Sequence, residues 1–161
     1  MKKLHKIFWY ILFFAGMMLI DRITKTLMLW WGDTEIQLTS FLSLKLCFNR
    51  GVSWGMLHSH STLQFLFVIG LTLTVTSVLG LYTYRQWKDG HTIWCETLAL
   101  SGAVSNLFDR FFHNGVIDFV SFCAGNMFFP SFNFADACIV VGVFCMILTL
   151  FLDKPETGAT S

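Results

Sequence analysis

The chain has 161 residues, of which 55% are hydrophobic and only 13% charged, against a norm of about 25% charged in soluble domains. A net charge of +1 offers no basic excess for nucleic acid. The five Cys are odd in number and form no C-x-x-C pair, which argues against a disulfide framework or a zinc site. What remains is a polytopic membrane protein, mainly α, with no metal or cofactor expected and with Cys47, Cys95, Cys123, Cys138 and Cys145 read as small buried apolar residues.

Residues 7–31 form the first predicted span. Lys2, Lys3 and Lys6 precede an apolar run from Ile7 to Ile20, which then meets Asp21, Arg22 and Lys25 before closing on Leu29-Trp30-Trp31. The basic start suits a signal peptide, but the apolar run outlasts an h-region and no A-x-A site follows, so the segment is read as a retained anchor. Residues 32–61 form an outer segment. Ile36–Thr39 and Leu42–Asn49 alternate with period two, as half-buried strands do, and Asn49-Arg50-Gly51 supplies turn residues. A small sheet standing on the outer membrane surface is expected here.

Residues 62–81 hold no charge over twenty positions, enough to cross about 30 Å of hydrocarbon. Residues 92–108 form a weaker third span, with Glu96 inside it and small residues at Ser101, Gly102, Ala103 and Ser105. Residues 109–132 read as a second outer loop that carries Asp118. Residues 133–152 are apolar apart from Asn133 and Asp136. The stretch from Asp153 reads as a disordered polar tail. The expectation is one membrane-embedded domain over 1–152, with four transmembrane helices and a small extracytoplasmic β-sheet. Lys2, Lys3, Lys6, Arg85, Lys88 and Lys154 favour a cytoplasmic location for both termini, and Trp30, Trp31 and Trp87 sit where interfacial anchors belong.

This topology carries the polar residues to one depth. Asp21 lies roughly 20 Å along its helix from Ile7. Asn106 and Asp109 end the third span on the outer side, Asn133 and Asp136 begin the fourth there, and Asp118 lies between them. A charge at a helix centre costs roughly 2.5–3.5 kcal/mol on insertion scales, so acids placed here in so uncharged a chain point to use. Each also has a structural reading. Asp21 and Lys25 are spaced as a helical ion pair. Asp109-Arg110 suits an interfacial charge pair, Asn106 and Asn133 suit interhelical hydrogen bonds, and Asp118 suits a solvated loop acid. Asp136 is harder to dismiss, since no basic neighbour accompanies it in its own segment. His58, His60, His91 and His113 show no ligand spacing.

Two acids at one apolar edge suggest a dyad in which one carboxylate activates water while the other, protonated, donates to a carbonyl oxygen. The same acids would serve a small proton- or ion-coupled transporter. A quinone-linked thiol oxidoreductase would need paired outer Cys, whereas Cys47 and Cys123 stand singly.

At these residues the sequence resembles the bacterial lipoprotein signal peptidase (signal peptidase II) family. Asp21-Arg22-Ile23-Thr24-Lys25 is similar to D-Q-x-T-K, and Asn49-Arg50-Gly51-Val52-Ser53-Trp54-Gly55 to N-x-G-x-x-F-G. Gly102–Arg110 is similar to G-A-x-G-N-x-x-D-R, Gly115-Val116-Ile117-Asp118-Phe119 to the family block that opens on Gly and closes on D-F, and Phe132–Asp136 to F-N-x-A-D. The resemblance implies an aspartic endopeptidase of the bacterial cytoplasmic membrane, with its active site at the outer face. It would remove the signal peptide from diacylglyceryl-modified prolipoproteins by cutting before the lipidated Cys. It implies Asp118 and Asp136 as the catalytic dyad. Asp21, Lys25, Asn49, Asn106, Asp109, Arg110 and Asn133 would support the site or hold substrate, and membrane lipid and prolipoprotein would be the partners of a monomer. Arg22 in place of Gln, Ser105 in place of Gly and Trp54 in place of Phe depart from the pattern, and no role for Arg22 follows from the sequence.

Overall fold

The computed structural model describes residues 2–51, 61–124 and 127–152. Residues 52–60, with Trp54, His58 and His60, and the tail expected to be disordered from 153 lie outside the described residues. Within them the order is α1 (Lys2–Trp31), β1 (Ile36–Gln37), β2 (Leu42–Asn49), α2 (Thr62–Lys88), α3 (Trp94–His113), β3 (Val116–Ala124), β4 (Met127–Phe128) and α4 (Phe134–Leu152).

Three of these helices, α1, α2 and α4, are long and apolar enough to cross a membrane. Their outer faces expose large apolar side chains, among them Phe8, Leu12, Leu66, Phe67, Val141 and Phe144, an arrangement that suits a lipid surrounding. The four-span expectation is therefore met by three helices on length and apolarity. α3 falls short because its buried positions are small or polar: Glu96, Thr97, Ser101, Gly102, Ser105, Asp109 and Arg110. It packs against α1, α2 and α4, so its neighbours cover the face a lone span would show to lipid. α3 also runs on to His113 rather than stopping at 108, which puts Asp109 and Arg110 on the helix and not in an outer loop. It ends where Asn114 adopts φ 59°, a left-handed conformation that Asn tolerates better than most residues, and the chain turns directly into β3.

The close approach of α3 to α4 depends on two glycines. A methyl at Gly102 would lie 2.3 Å from the carbonyl oxygen of Ala135, and one at Gly142 would lie 2.6 Å from the backbone nitrogen of Ala99. Small residues of this kind let membrane helices meet backbone to backbone.

The strands form one antiparallel sheet in the order β1-β2-β3-β4. β2 matches the alternating run Leu42–Asn49. β3 is a departure, because the region of Asp118 reads as loop in the sequence. Val116, Ile117, Asp118 and Phe119 are all buried, so this first part of the strand is covered on both faces and shows no alternation to read. Asn49 pairs with Val116 and Cys47 with Asp118, past an irregularity between Leu44 and Cys47. The Cys residues also depart from expectation: Cys138 is buried, but Cys47 is exposed on the sheet.

Candidate active site

The site is built from the bottom by four side chains that neutralise one another. On α1, Asp21 and Lys25 sit one turn apart, and the ammonium lies 2.8 Å from Asp21 Oδ2. The same ammonium lies 2.7 Å from Asp109 Oδ2 on α3 and donates to Asn106 Oδ1 at 2.9 Å. All three of its donors are thereby used, as a buried ammonium requires. Arg22 closes the layer, donating through Nη1 to Asp109 Oδ1 at 2.6 Å and through Nη2 to Asp21 Oδ2 at 2.8 Å. Ser105 adds a 2.6 Å bond to Asp21 Oδ2. Asp109 therefore pairs with Arg22 and Lys25, and not with Arg110. Arg110 turns the other way and donates to the carbonyl of Gly51 at 2.7 Å.

Above this layer stands the N-terminus of α4. The first N–H groups of a helix lack partners inside it. Here Asn133 Oδ1 accepts from Asp136 N at 2.9 Å, while Asp136 Oδ2 accepts from Asn133 N at 3.1 Å. This is the reciprocal exchange of a capping box. Ala135 N donates to Asp21 Oδ1 at 2.9 Å, so α1 caps α4 across the bundle.

Two asparagines tie the acids together. Lys25 can only donate, which fixes the Asn106 oxygen toward it and turns the Asn106 amide to Asp136 Oδ1 at 2.7 Å. Asn133 Nδ2 donates to Asn106 Oδ1 at 3.2 Å and to Asp118 Oδ1 at 2.7 Å. Asn49 on β2 donates to Asp118 Oδ2 at 3.0 Å, and its own oxygen receives the N–H of Gly51. Every oxygen of Asp118 and Asp136 is held by a donor, and the two acids are joined through Asn133 directly and through Asn133 and Asn106 in series. Burial, followed by the nearby Asp136 charge, pushes Asp118 up to about 7 despite the Asn49 and Asn133 donors. An acid at that value can both give and take a proton near neutrality.

The acids open onto a cavity of about 1240 Å³ whose lining includes Asn49, Asn106, Arg110, Asp118 and Asp136. Its walls come from α2 (Leu71, Val75, Val78, Tyr82) and α4 (Val140, Val143, Ile147, Leu150), with Ala103 and Leu107 of α3 between them. From Asp136 to Leu150 the groove runs roughly 20 Å along α4. Arg110 Nη1 is buried without a partner among the described residues, and Arg110 lines the same cavity.

The structure brings Asp21, Lys25, Asn49, Asn106, Asp109, Arg110, Asp118, Asn133 and Asp136 into one connected network. Arg22 and Ser105 belong to it as well, although the sequence assigns Arg22 no role and Ser105 only that of a small residue at a helix contact. The signals for Arg22 in the sequence are a third charge in a span already carrying a complete ion pair and its departure from the Gln of the D-Q-x-T-K pattern.

The family described as signal peptidase (SPase) II matches residues 13–152. A lipoprotein signal peptidase of Azoarcus sp. (strain BH72) is 34% identical over 150 residues, covering 89% of this chain and 85% of that protein. One from Bacillus pumilus (strain SAFR-032) is 33% identical over 153 residues, covering 93% and 96%. A bacterial membrane enzyme solved by the in meso method at 2.3 Å superposes with a TM-score of 0.77 at 21% identity, over 96% of this chain and 94% of that one. A second, at 1.9 Å, gives 0.73 at 22% identity, over 92% and 96%.

Proposed function

The chain belongs to the signal peptidase II family of multi-pass bacterial membrane proteins, and from that premise we propose that Asp118 and Asp136 are the dyad with which it cuts. It is an aspartic endopeptidase that removes signal peptides from lipoproteins, and this membership decides against the transporter and the thiol oxidoreductase. The observation that carries the assignment is the amide relay from Asp118 through Asn133 and Asn106 to Asp136 at the mouth of the apolar groove.

The chemistry follows from a dyad that holds one proton between its two acids. The ionised carboxylate takes a proton from water as the water oxygen attacks the scissile carbonyl carbon. The protonated carboxyl gives its proton to the carbonyl oxygen, which forms a tetrahedral diol. Collapse breaks the C–N bond, the departing nitrogen receives a proton, and a free carboxyl and a free amine leave. Asn49, Asn106 and Asn133 hold the acids in register. The spare N–H of Arg110 is placed to bind a substrate carbonyl.

The groove suits an apolar signal-peptide segment lying between α2 and α4, with the diacylglyceryl chains left in the bilayer. Acyl burial is worth about 0.8 kcal/mol per CH₂, so lipid anchoring fixes the depth at which the cut bond arrives. α3 serves as a fourth span, shielded by its neighbours. Both termini then lie on the cytoplasmic side, the dyad lies at the outer face, and residues 1–152 work as one monomeric unit. The test is cleavage by the purified protein of a prolipoprotein with and without its diacylglyceryl group. Only the lipidated form is cut at an appreciable rate on this reading, and equal rates on both would overturn it.

A further inference from the structure

We propose that Arg22 is a positioning residue whose forked guanidinium fixes the spacing of the two dyad-bearing elements and, by balancing charge beneath them, sets the pH range in which the dyad works. The inference rests on the dyad reading above.

The geometry is bilateral. Arg22 holds Asp21 with one nitrogen and Asp109 with the other. Asp21 in turn holds the N–H of Ala135, next to Asp136. Asp109 holds the N–H of Ile117, next to Asp118, at 3.3 Å. One guanidinium thus spans the two acids that grip the backbone beside each dyad member. The fork is itself held: Nη2 reaches the Ser105 carbonyl at 3.4 Å, and its plane lies over the Phe108 ring, 5.2 Å from the centroid. Arg22 and Ser105, two of the residues that depart from the family pattern, meet on the same oxygen of Asp21. Arg22 is not among the groove-lining residues, so it acts on the reaction only through its partners.

Charge gives the second half. Asp21 and Asp109 are 1% and 0% exposed. Lys25 alone would leave that pair one negative charge in excess directly below the dyad, and Arg22 cancels it. Among the described residues, the other charged or titratable groups around the dyad and the layer beneath it are Lys25 on α1, Arg110 on α3, Cys138 on α4, and Cys47 and Arg50 on the β2 side, where Arg50 stacks on Phe65 of α2. Among the described residues, Tyr82 is the one titratable side chain that α2 contributes to the groove. Removing Arg22 therefore makes the dyad's surroundings more negative and ionisation harder.

The test is a pH–rate profile for wild type, Arg22→Gln, Arg22→Lys and Ser105→Gly on a lipidated prolipoprotein, with the surface change Lys45→Gln as a charge control. Arg22→Gln is expected to lower kcat about tenfold with KM within about twofold, consistent with a loss of positioning. Its whole profile is expected to move upward by on the order of one pH unit. Arg22→Lys, which returns the charge without the fork, restores the profile but not kcat. Ser105→Gly and Lys45→Gln leave the profile in place. The proposal is overturned if Arg22→Gln keeps the wild-type profile, or if its loss is confined to thermal stability. If Arg22→Gln does not fold, an Arg22→Lys enzyme with full kcat overturns the role of the fork. Asp118→Asn and Asp136→Asn measured alongside separate the two readings: activity in either removes the dyad, whereas their inactivity with an unmoved Arg22→Gln profile removes only the role of Arg22.

Discussion

Gly102→Ala tests whether the α3–α4 contact is what places Asp136. The added methyl would sit 2.3 Å from the Ala135 carbonyl oxygen and 2.9 Å from Ile139 Cγ1. The nearer obstacle is backbone, and that backbone is pinned, because Ala135 N is bound to Asp21. Reaching the 3.4 Å at which ordinary contact begins requires the start of α4 to retreat by 1.1 Å. That is enough to break the 2.7 Å bond from Asn106 to Asp136. Overpacking of this kind costs about 1–3 kcal/mol, and a misplacement of about 1 Å at a reacting group can cost about 10²-fold in rate. The measurement is kcat on a lipidated prolipoprotein together with the thermal midpoint in detergent. Gly16→Ala is the control, since no atom outside its own helix lies within 4 Å of its added methyl. A Gly102→Ala enzyme within about twofold of wild-type kcat at an unchanged midpoint would refute the reasoning.

The remaining predictions concern charge. Lys25→Met leaves two buried carboxylates and the Asn106 oxygen without their shared donor, and should cost about 3–5 kcal/mol; a denaturation midpoint equivalent to less than about 1 kcal/mol would sink the idea that Lys25 organises the layer. Because Asp118 keeps its proton up to about 7, kcat/KM should fall about tenfold per pH unit above that value, and a rate still rising at pH 9 would contradict the need for that proton. The same acid makes stability fall with rising pH: the unfolded chain releases this proton near 3.8 and the folded chain near 7, so between them the native state binds more protons. Thermal midpoints at pH 5 and 8 check this, and Asp118→Asn should flatten the difference.

How far the sequence exposes this arrangement depends on the kind of signal. α2 announces itself because no charge interrupts it for twenty residues. β2 does so because Leu42, Leu44 and Leu46 alternate with Ser43, Lys45 and Cys47. β3 is hidden for the opposite reason: burial on both sides removes the alternation, so Asp118 looks like a loop acid. α3 looks weak because a helix wrapped by three others can place Glu96, Ser105, Asp109 and Arg110 inward. The convergence of Asp21, Asn106, Asp118, Asn133 and Asp136 follows from topology, and the dyad assignment from resemblance. The pairings themselves do not: Arg22 reaches Asp109 across 87 residues, and a local reading pairs Asp109 with its neighbour Arg110 instead. Ser105 was legible only as a small residue suited to close helix packing, whereas its hydroxyl is in fact a donor to Asp21.

The most direct test of the dyad is single-turnover cleavage of a diacylglyceryl-modified prolipoprotein by wild type, Asp118→Asn and Asp136→Asn, each purified in detergent and shown to keep its thermal midpoint or better. Both variants should lose about 10²–10⁴-fold or more in rate while still binding substrate. Cleavage at the wild-type rate by either folded variant would contradict the assignment of Asp118 and Asp136 as the acids that cut.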